Sequence, residues 1–365
     1  MRIGIDLSIT KINLAGTGIY TAGLYAAMQN LDTEHTLIAL SNYKNPVTRK
    51  PKTLAARLGA LQQDLLWGQI LLPWQTARQK IDLLHVPTGL APVVPTSPIV
   101  LSILDVLVLT MPENFPKWQR TYSRMVLPRV ARQASMILTI SEFSKQEIIK
   151  QLDVPPERVA VTYLSVSPEF KPQGPVVVES ILDPNILNTP FILAVGTLEP
   201  RKNITRLVEA FARLKKKGYP HKLIHVGGKG WLYDEIFEAV HELNLVNDIL
   251  FLGRQPLATL VALYNKATVL VYPSLMEGFG LPVLEAMNCG CPVVTSNVSS
   301  LPEVIGDAGI QVDPLDTRQI TTAIEQVLDN EELAAQMRQK GLLRAREFSW
   351  QRCAQETIDV YEQVV

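Results

Sequence analysis

Short runs rich in Val, Ile and Leu alternate along this chain with segments of helical period, and the alternation runs through twice. Such alternation builds βαβ units and therefore a parallel sheet covered by helices. In the first half, Arg2–Leu7, Thr36–Leu40, Leu83–His85, Ile99–Leu104, Met136–Ile140 and Val159–Thr162 read as strands. Tyr20–Gln29 and Ser144–Leu152 read as helices, with Ser141 placed to begin the second. Five prolines, Pro168, Pro172, Pro175, Pro184 and Pro190, then mark a linker. Beyond it the pattern restarts, with strands expected at Phe191–Val195, Lys222–Val226, Ile249–Leu252, Thr268–Tyr272 and Pro292–Thr295. Helices are expected at Ile204–Lys217, Tyr233–Leu243, Pro256–Lys266, Pro282–Asn288 and Thr317–Asp329. The chain therefore reads as two doubly wound α/β domains in series. In such sheets ligands bind at the carboxyl ends of the strands, and two facing domains would enclose a cleft.

A length of 365 residues suits two domains with their own cores, and 47% apolar content excludes a disordered chain. The 35 basic and 35 acidic side chains cancel, which argues against binding nucleic acid by bulk charge. The balance is uneven. Residues 1–180 hold 18 basic and 13 acidic groups, residues 181–365 hold 17 and 22, and residues 35–140 hold 12 and 4. Cys289, Cys291 and Cys353 make no disulfide framework, and Cys289-Gly290-Cys291 lacks zinc or redox spacing, so all three read as small packed residues. Asp6 interrupts any leader-like apolar run at the start, and no stretch has the length of a membrane span, which points to a cytoplasmic chain.

Four motifs sit where strands run into helices. Gly16-Thr17-Gly18 opens the first helix and reads as a tight turn or as a loop that a ligand approaches; it lacks the third glycine of a dinucleotide fingerprint. Gly196-Thr197-Leu198-Glu199-Pro200-Arg201-Lys202-Asn203 places two adjacent cations at a strand end. An arginine fork and a lysine point charge suit a diphosphate, and cations set against a helix dipole favour a bound anion. Gly227-Gly228-Lys229-Gly230-Trp231 is no Walker loop and reads either as a wall beside a nucleotide or as a simple turn. Glu277-Gly278-Phe279-Gly280-Leu281-Pro282-Val283-Leu284-Glu285 carries two glutamates eight residues apart. A helical rise of ~1.5 Å per residue separates them by about 12 Å, too far for a glycosidase pair, so they suit two parts of one long ligand such as a sugar and a ribose.

Together these residues resemble the retaining family-4 glycosyltransferases with the GT-B fold. Glu277 and Glu285 match the family's E-x7-E motif. Gly16–Gly18, Ser141-Glu142-Phe143-Ser144, Arg201-Lys202-Asn203, Gly253, Pro273-Ser274, Gly290-x-Pro292 and Ser300-x-Pro302-Glu303 follow in the same order. The Gly196–Asn203 and Gly227–Trp231 stretches are most similar to bacterial mannosyltransferases of surface polysaccharide synthesis. The resemblance implies two Rossmann-like domains: residues 1–172 with a returning helix at 350–365 on the acceptor side, and 173–349 binding a nucleotide diphosphate sugar. It implies that Arg201 and Lys202 stabilise the leaving diphosphate and that Glu277 holds donor-sugar hydroxyls. Phe279, Gly280 and Leu281 would offer backbone contacts, and Glu285 would bind the ribose. Gly16 and Gly18 would approach the phosphates, Gly196 and Gly227 would line the donor site, and Arg254 would reach the base or diphosphate. The implied reaction needs no metal or other cofactor and retains anomeric configuration. The implied acceptor is a glycan or lipid-linked glycan, with GDP-mannose the favoured donor and UDP- or ADP-glucose the alternative.

Two departures stand out. Leu104-Asp105 replaces the His-Asp of many relatives, and Thr197 stands where an arginine is common. Leucine neither hydrogen-bonds nor moves a proton. This leaves open a non-catalytic sugar-nucleotide binder, a related epimerase or phosphorylase, or a substitute at His85, which otherwise reads as a core histidine. The basic segments Lys44–Arg57 and Lys117–Arg132, the second interleaved with Trp118, Tyr122, Met125, Val126 and Leu127, read as ordinary solvated faces or as cationic surfaces lying on an anionic membrane.

Overall fold

The computed structural model describes residues 1–11, 16–42, 66–88, 91–115 and 117–365, and of Asn114, Trp118, Gln119 and Tyr122 the backbone only. The basic segment Lys44–Arg57 lies outside the described residues. The chain divides into two compact units, Met1–Ser165 with Ser349–Val365, and Val166–Phe348.

The first unit holds a six-stranded parallel sheet, ordered β2-β1-β3-β4-β5-β6. Its strands are β1 (Arg2–Asp6), β2 (Thr36–Leu40), β3 (Leu83–Val86), β4 (Ile99–Ser102), β5 (Met136–Thr139) and β6 (Val159–Val161). Helix α1 (Gly16–Met28) packs against the C-terminal helix Trp350–Val364, and Gly23 makes the approach: a Cβ there would stand 2.4 Å from the Trp350 ring. On one sheet face, α2 (Leu72–Arg78), α3 (Lys117–Gln133) and α4 (Glu142–Leu152) share a single core with Leu84, Leu101, Ile137 and Val159. The expected start of α4 is there, with the Ser141 hydroxyl accepting from the Ser144 N–H at 3.0 Å. Helix α3 runs through Pro128, a residue that ordinarily ends a helix.

The second unit repeats the plan with order β12-β11-β10-β7-β8-β9. Here β7 is Phe191–Val195, β8 Lys222–Val226, β9 Ile249–Phe251, β10 Val269–Tyr272, β11 Val293–Ser296 and β12 Ile310–Val312. Both sheets are parallel throughout, as the alternation requires. Helix α5 (Ile204–Lys216) follows β7, and α6 (Leu281–Asn288) follows β10. The apolar stripe of α5, from Ile204 through Leu207, Val208 and Phe211 to Leu214, is buried in the core. The three cysteines are free and buried.

Candidate active site

The carboxyl ends of β7, β8 and β10 bring the second unit's motifs together. After β7 the chain turns at Gly196 (φ +148°), and after β8 at Gly227 (φ +155°). The two turns touch: a Cβ on Gly227 would lie 1.7 Å from the Gly196 carbonyl oxygen. The Leu198 N–H donates to the Gly228 carbonyl and the Gly230 N–H to the Leu198 carbonyl, so the loops stay paired beyond the strands. A short 3-10 turn, Pro200–Lys202, then presents the two cations ahead of α5, with Asn203 in the left-handed region at φ 58°. The Asn203 side-chain amide holds this corner by donating to the Pro273 and Pro314 carbonyls at 3.0 and 2.7 Å.

Glu277 lies in the loop between β10 and α6 and is 7% exposed. Its Oε2 accepts from the Arg201 guanidinium at 2.6 Å. Its Oε1 accepts from Lys202 at 2.6 Å, the Tyr272 hydroxyl at 2.8 Å and the Ser274 hydroxyl at 2.5 Å. Arg201 also donates to Glu199 at 2.6 Å and to the Met276 carbonyl at 2.8 Å, and Lys202 donates to the Tyr272 oxygen at 2.5 Å. Burial alone would raise the Glu277 carboxyl, but Arg201 and Lys202, with hydrogen bonds from Lys202 and Ser274, outweigh it and bring it down to about 2. Burial pulls the Lys202 ammonium below its usual value, opposed by Glu277 and aided by Arg201. Burial and Glu277 hold the Tyr272 hydroxyl well above its usual range, so it remains a donor.

Among the described residues, two N–H donors of the Arg201 guanidinium and one of the Lys202 ammonium are left without a partner, by count of their five and three donors. A buried cluster whose formal charges cancel, yet which keeps three cationic donors in hand, is suited to an anion with several acceptor oxygens. The cations are therefore not simply opposed to the α5 dipole, as expected from the sequence. Glu199 and Glu277 already compensate them.

The two glutamates of the E-x7-E motif do not share a helix. Gly280, at φ 109°, caps the start of α6 and separates Glu277 from it, so the rise calculated along one helix does not apply. Glu285 lies within α6, partly exposed, and accepts from the Tyr264 hydroxyl at 2.7 Å. Burial pushes its carboxyl up to about 7, against the hydrogen bond from Tyr264. Phe279 turns its ring inward, edge-on to Phe348 at 5.6 Å, leaving the backbone of the 279–281 stretch as its outward chemistry. The Ser300 hydroxyl fixes that stretch by donating to the Glu277 and Phe279 carbonyls at 3.0 and 2.9 Å. Arg254, exposed after Gly253, runs along Gly228, where a Cβ would stand 3.0 Å from its Nε. Gly196, Arg201, Lys202, Gly227, Arg254 and the Glu277–Glu285 stretch thus belong to one unit, whereas Gly16 and Gly18 head α1 in the other.

The chain matches the family described as Glycosyltransferase Family 4 over residues 14–170 and that described as Glycosyl transferases group 1 over residues 183–344. It is 40% identical over 262 residues to O-antigen chain mannosyltransferase B of Escherichia coli, across 71% of this chain and 68% of the relative. It belongs to the group 1 glycosyltransferases. A second Escherichia coli relative, the serotype-specific mannosyltransferase WbdA, is 33% identical over 241 residues, 64% of this chain and 29% of that much longer protein. In fold, this glycosyltransferase is similar to sucrose-phosphate synthase of Thermosynechococcus elongatus, with TM-score 0.78 and 20% identity over 100% of this chain and 98% of the other. It is also similar to Anabaena HepE solved with UDP-glucose, with TM-score 0.75 and 17% identity over the whole of both chains. These likenesses establish the GT-B architecture of two Rossmann-like domains.

Tyr272, Ser274, Glu199, Ser299 and Ser300 carried no assigned role in the sequence, yet four of them hold Glu277 or its loop directly and Glu199 holds Arg201. Pro273-Ser274 and Ser300-x-Pro302 were visible as motif pieces, but nothing in them signals the partner. His85 does not replace the missing histidine. It is wholly buried, its Nδ1 paired with the Tyr361 hydroxyl at 2.5 Å and its Nε2 with the Ser102 hydroxyl at 2.7 Å. Burial pulls it down to about 3, which keeps it neutral.

Proposed function

We propose that this glycosyltransferase moves mannose from GDP-mannose to a glycan or lipid-linked glycan, with retention of anomeric configuration. The observation that carries the reading is the Arg201–Lys202–Glu277 cluster with its three unused cationic donors. As the bond from the anomeric carbon to the donor phosphate breaks, charge builds on the diphosphate, and donors already fixed in place stabilise it without reorganising. The acceptor hydroxyl forms the new bond on the face the diphosphate leaves, and its proton passes to the departing phosphate oxygen. Glu277 holds sugar hydroxyls, the 279–281 backbone and Gly196 and Gly227 border the phosphates, and Arg254 meets the base or diphosphate. No metal is assigned a part. Mannose is favoured by the 40% identity to the O-antigen mannosyltransferase.

Incubation with GDP-mannose, UDP-glucose and ADP-glucose and a panel of mannose-terminated acceptors, with the product's anomeric configuration read by NMR, tests this. An α-mannoside formed from GDP-mannose supports it; a β-linked product or glucosyl transfer alone overturns it. Leu104 favours a second reading, a sugar-nucleotide binder that does not turn over. It follows β4 half-buried, with no side-chain polarity to offer a reacting sugar. Donor binding without transfer to any acceptor would support that reading.

Glu285 gives the site a pH dependence. If its carboxylate accepts from the ribose hydroxyls, the ionised form binds the donor, and ionisation occurs as pH rises through about 7. Donor affinity measured by calorimetry is expected to rise about tenfold between roughly pH 6 and 8, since one pKa unit either side of a midpoint spans most of a titration. Glu285→Gln is expected to flatten that profile; an unchanged slope would remove the ribose assignment.

A further inference from the structure

One buried side chain beside the candidate site has no part in the reaction as derived above. His225 lies near the end of β8, 1% exposed, and by the alternation of a strand it shares a sheet face with Leu223 of the core. Its ring lies 5.6 Å from that of Phe251 on β9, which lies 4.8 Å from Phe237 of the helix Asp234–Glu242. Burial pulls the imidazole down to about 4, opposed by the Gly196 backbone, so the ring is neutral near pH 7 and carries one N–H and one lone pair. Among the described residues, buried side-chain nitrogens and oxygens without a hydrogen-bond partner come singly on Ser97, Thr162, Gln173 and His221, and as a pair on His225.

The ring edge that bears both nitrogens faces the crossing of the two glycine turns. A Cβ on Gly227 would stand 3.2 Å from Cε1, the carbon between those nitrogens, and 1.7 Å from the Gly196 carbonyl oxygen, so ring and carbonyl flank one point. Burying a donor and an acceptor unpaired destabilises a fold, and an apolar residue of the same shape would avoid the loss. Unpaired groups of this kind call for a use, and beside a site they point to a second state that pairs them. Lys202 indicates what that state is. Its stem packs on the Gly196 turn, where a Cβ would lie 3.3 Å from Cε, and its ammonium is one of the cations suited to a diphosphate. A diphosphate that draws Lys202 towards itself moves this turn with it and brings the Gly196 carbonyl to the His225 N–H.

We propose that His225 is a positioning residue of the donor site, whose N–H takes up the Gly196 carbonyl when a diphosphate is held by Lys202. A ligand shifts an equilibrium only by what differs between its states, so this bond adds to donor affinity and not to the stability of the unliganded chain. The inference deepens the proposed reading of the donor site and rests on it for the identity of the ligand.

Thermal melting of the unliganded chain, with calorimetric titration of GDP-mannose and of inorganic pyrophosphate, tests it on wild type, His225→Leu and His225→Gln. Leucine has a similar volume and no polar atom, so its melting temperature is expected to equal or exceed that of wild type. Both ligands are expected to bind it about 3- to 10-fold more weakly, the worth of one neutral hydrogen bond. Glutamine restores an N–H and is expected to bind both within about twofold of wild type. A side chain that only fills the core gives the reverse pattern. A lower melting temperature for His225→Leu, unchanged affinity, or equal weakening by leucine and glutamine therefore overturns the proposal. Pyrophosphate binding weakened by leucine, without mannosyl transfer from GDP-mannose, defeats the functional reading alone. Mannosyl transfer with equal donor affinity in wild type and His225→Leu defeats the positioning role alone, and a wild type that binds neither ligand overturns both.

Discussion

Replacing Glu277 by glutamine is expected to cut mannosyl transfer about 100- to 1000-fold while the fold stays intact, the loss typical of one preorganised electrostatic group. The carboxylate receives four hydrogen bonds through two oxygens, from Arg201, Lys202, Tyr272 and Ser274. Glutamine keeps the volume and one acceptor but turns an amide donor towards a cation, so Arg201 or Lys202 must swing away from the position proposed to receive the diphosphate. Alanine would be a poorer probe. It leaves two buried cations without that counter-charge, and breaking a buried pair costs about 3–5 kcal/mol of stability. Initial rates with GDP-mannose, beside circular dichroism of the same samples, check the expectation; a near-normal rate refutes the assignment of Glu277.

Gly227→Ala should be the most damaging glycine substitution in the second unit. The added methyl meets the Gly196 backbone at 1.7 Å, which no rotamer relieves, and φ +155° is strained for any L side chain. The turns after β7 and β8 must separate. The cost is expected at roughly 2–4 kcal/mol, strain and overpacking together, or a melting temperature lower by about 4–15 °C. Donor binding should fall with it, because Lys202 packs its stem against Gly196, where a Cβ would lie 3.3 Å from Cε. Gly253→Ala is the control: φ is +67°, nothing lies within 4 Å of the new methyl, and the strain is about 1–2 kcal/mol. Equal melting temperatures for the two variants would contradict the crossing of the two turns.

Much of the architecture was written in the spacing of apolar runs. A fully buried parallel strand needs a short continuous β-branched stretch, and β7, VLVY of β10 and VVTS of β11 show it plainly. Strand β12 is not legible in the sequence because Ile310–Val312 is three residues long and its middle residue, Gln311, is exposed. The Pro128 within α3 and the four-residue helix Leu107–Thr110 that lies between β4 and it hid its extent.

The candidate donor site was legible in its charged residues and not in their partners. Arg201, Lys202 and Glu277 could be picked out because charge at strand ends is costly without a use. Tyr272 and Ser274 could not, since they meet Lys202 and Arg201 across some seventy residues of sequence and sit in apolar or turn-like context. Glu199 read as a loop acid, yet it is 4% exposed and fixes the guanidinium. The expectation that helix geometry relates Glu277 to Glu285 failed for a local reason, the left-handed turn at Gly280. His85 illustrates the converse. A strand-end histidine looked available, but Ser102 and Tyr361 had closed round it.

In the proposed reaction the Lys202–Arg201 pair, held by Glu277, receives the donor diphosphate. Calorimetric titration of GDP-mannose into wild type and Lys202→Met tests it most directly, because methionine keeps the stem against Gly196 and removes only the charge and its donors. Affinity is expected to be weaker by about 10- to 100-fold in the variant, the worth of one charge-assisted hydrogen-bonding group. Unchanged affinity in a folded Lys202→Met protein would contradict it.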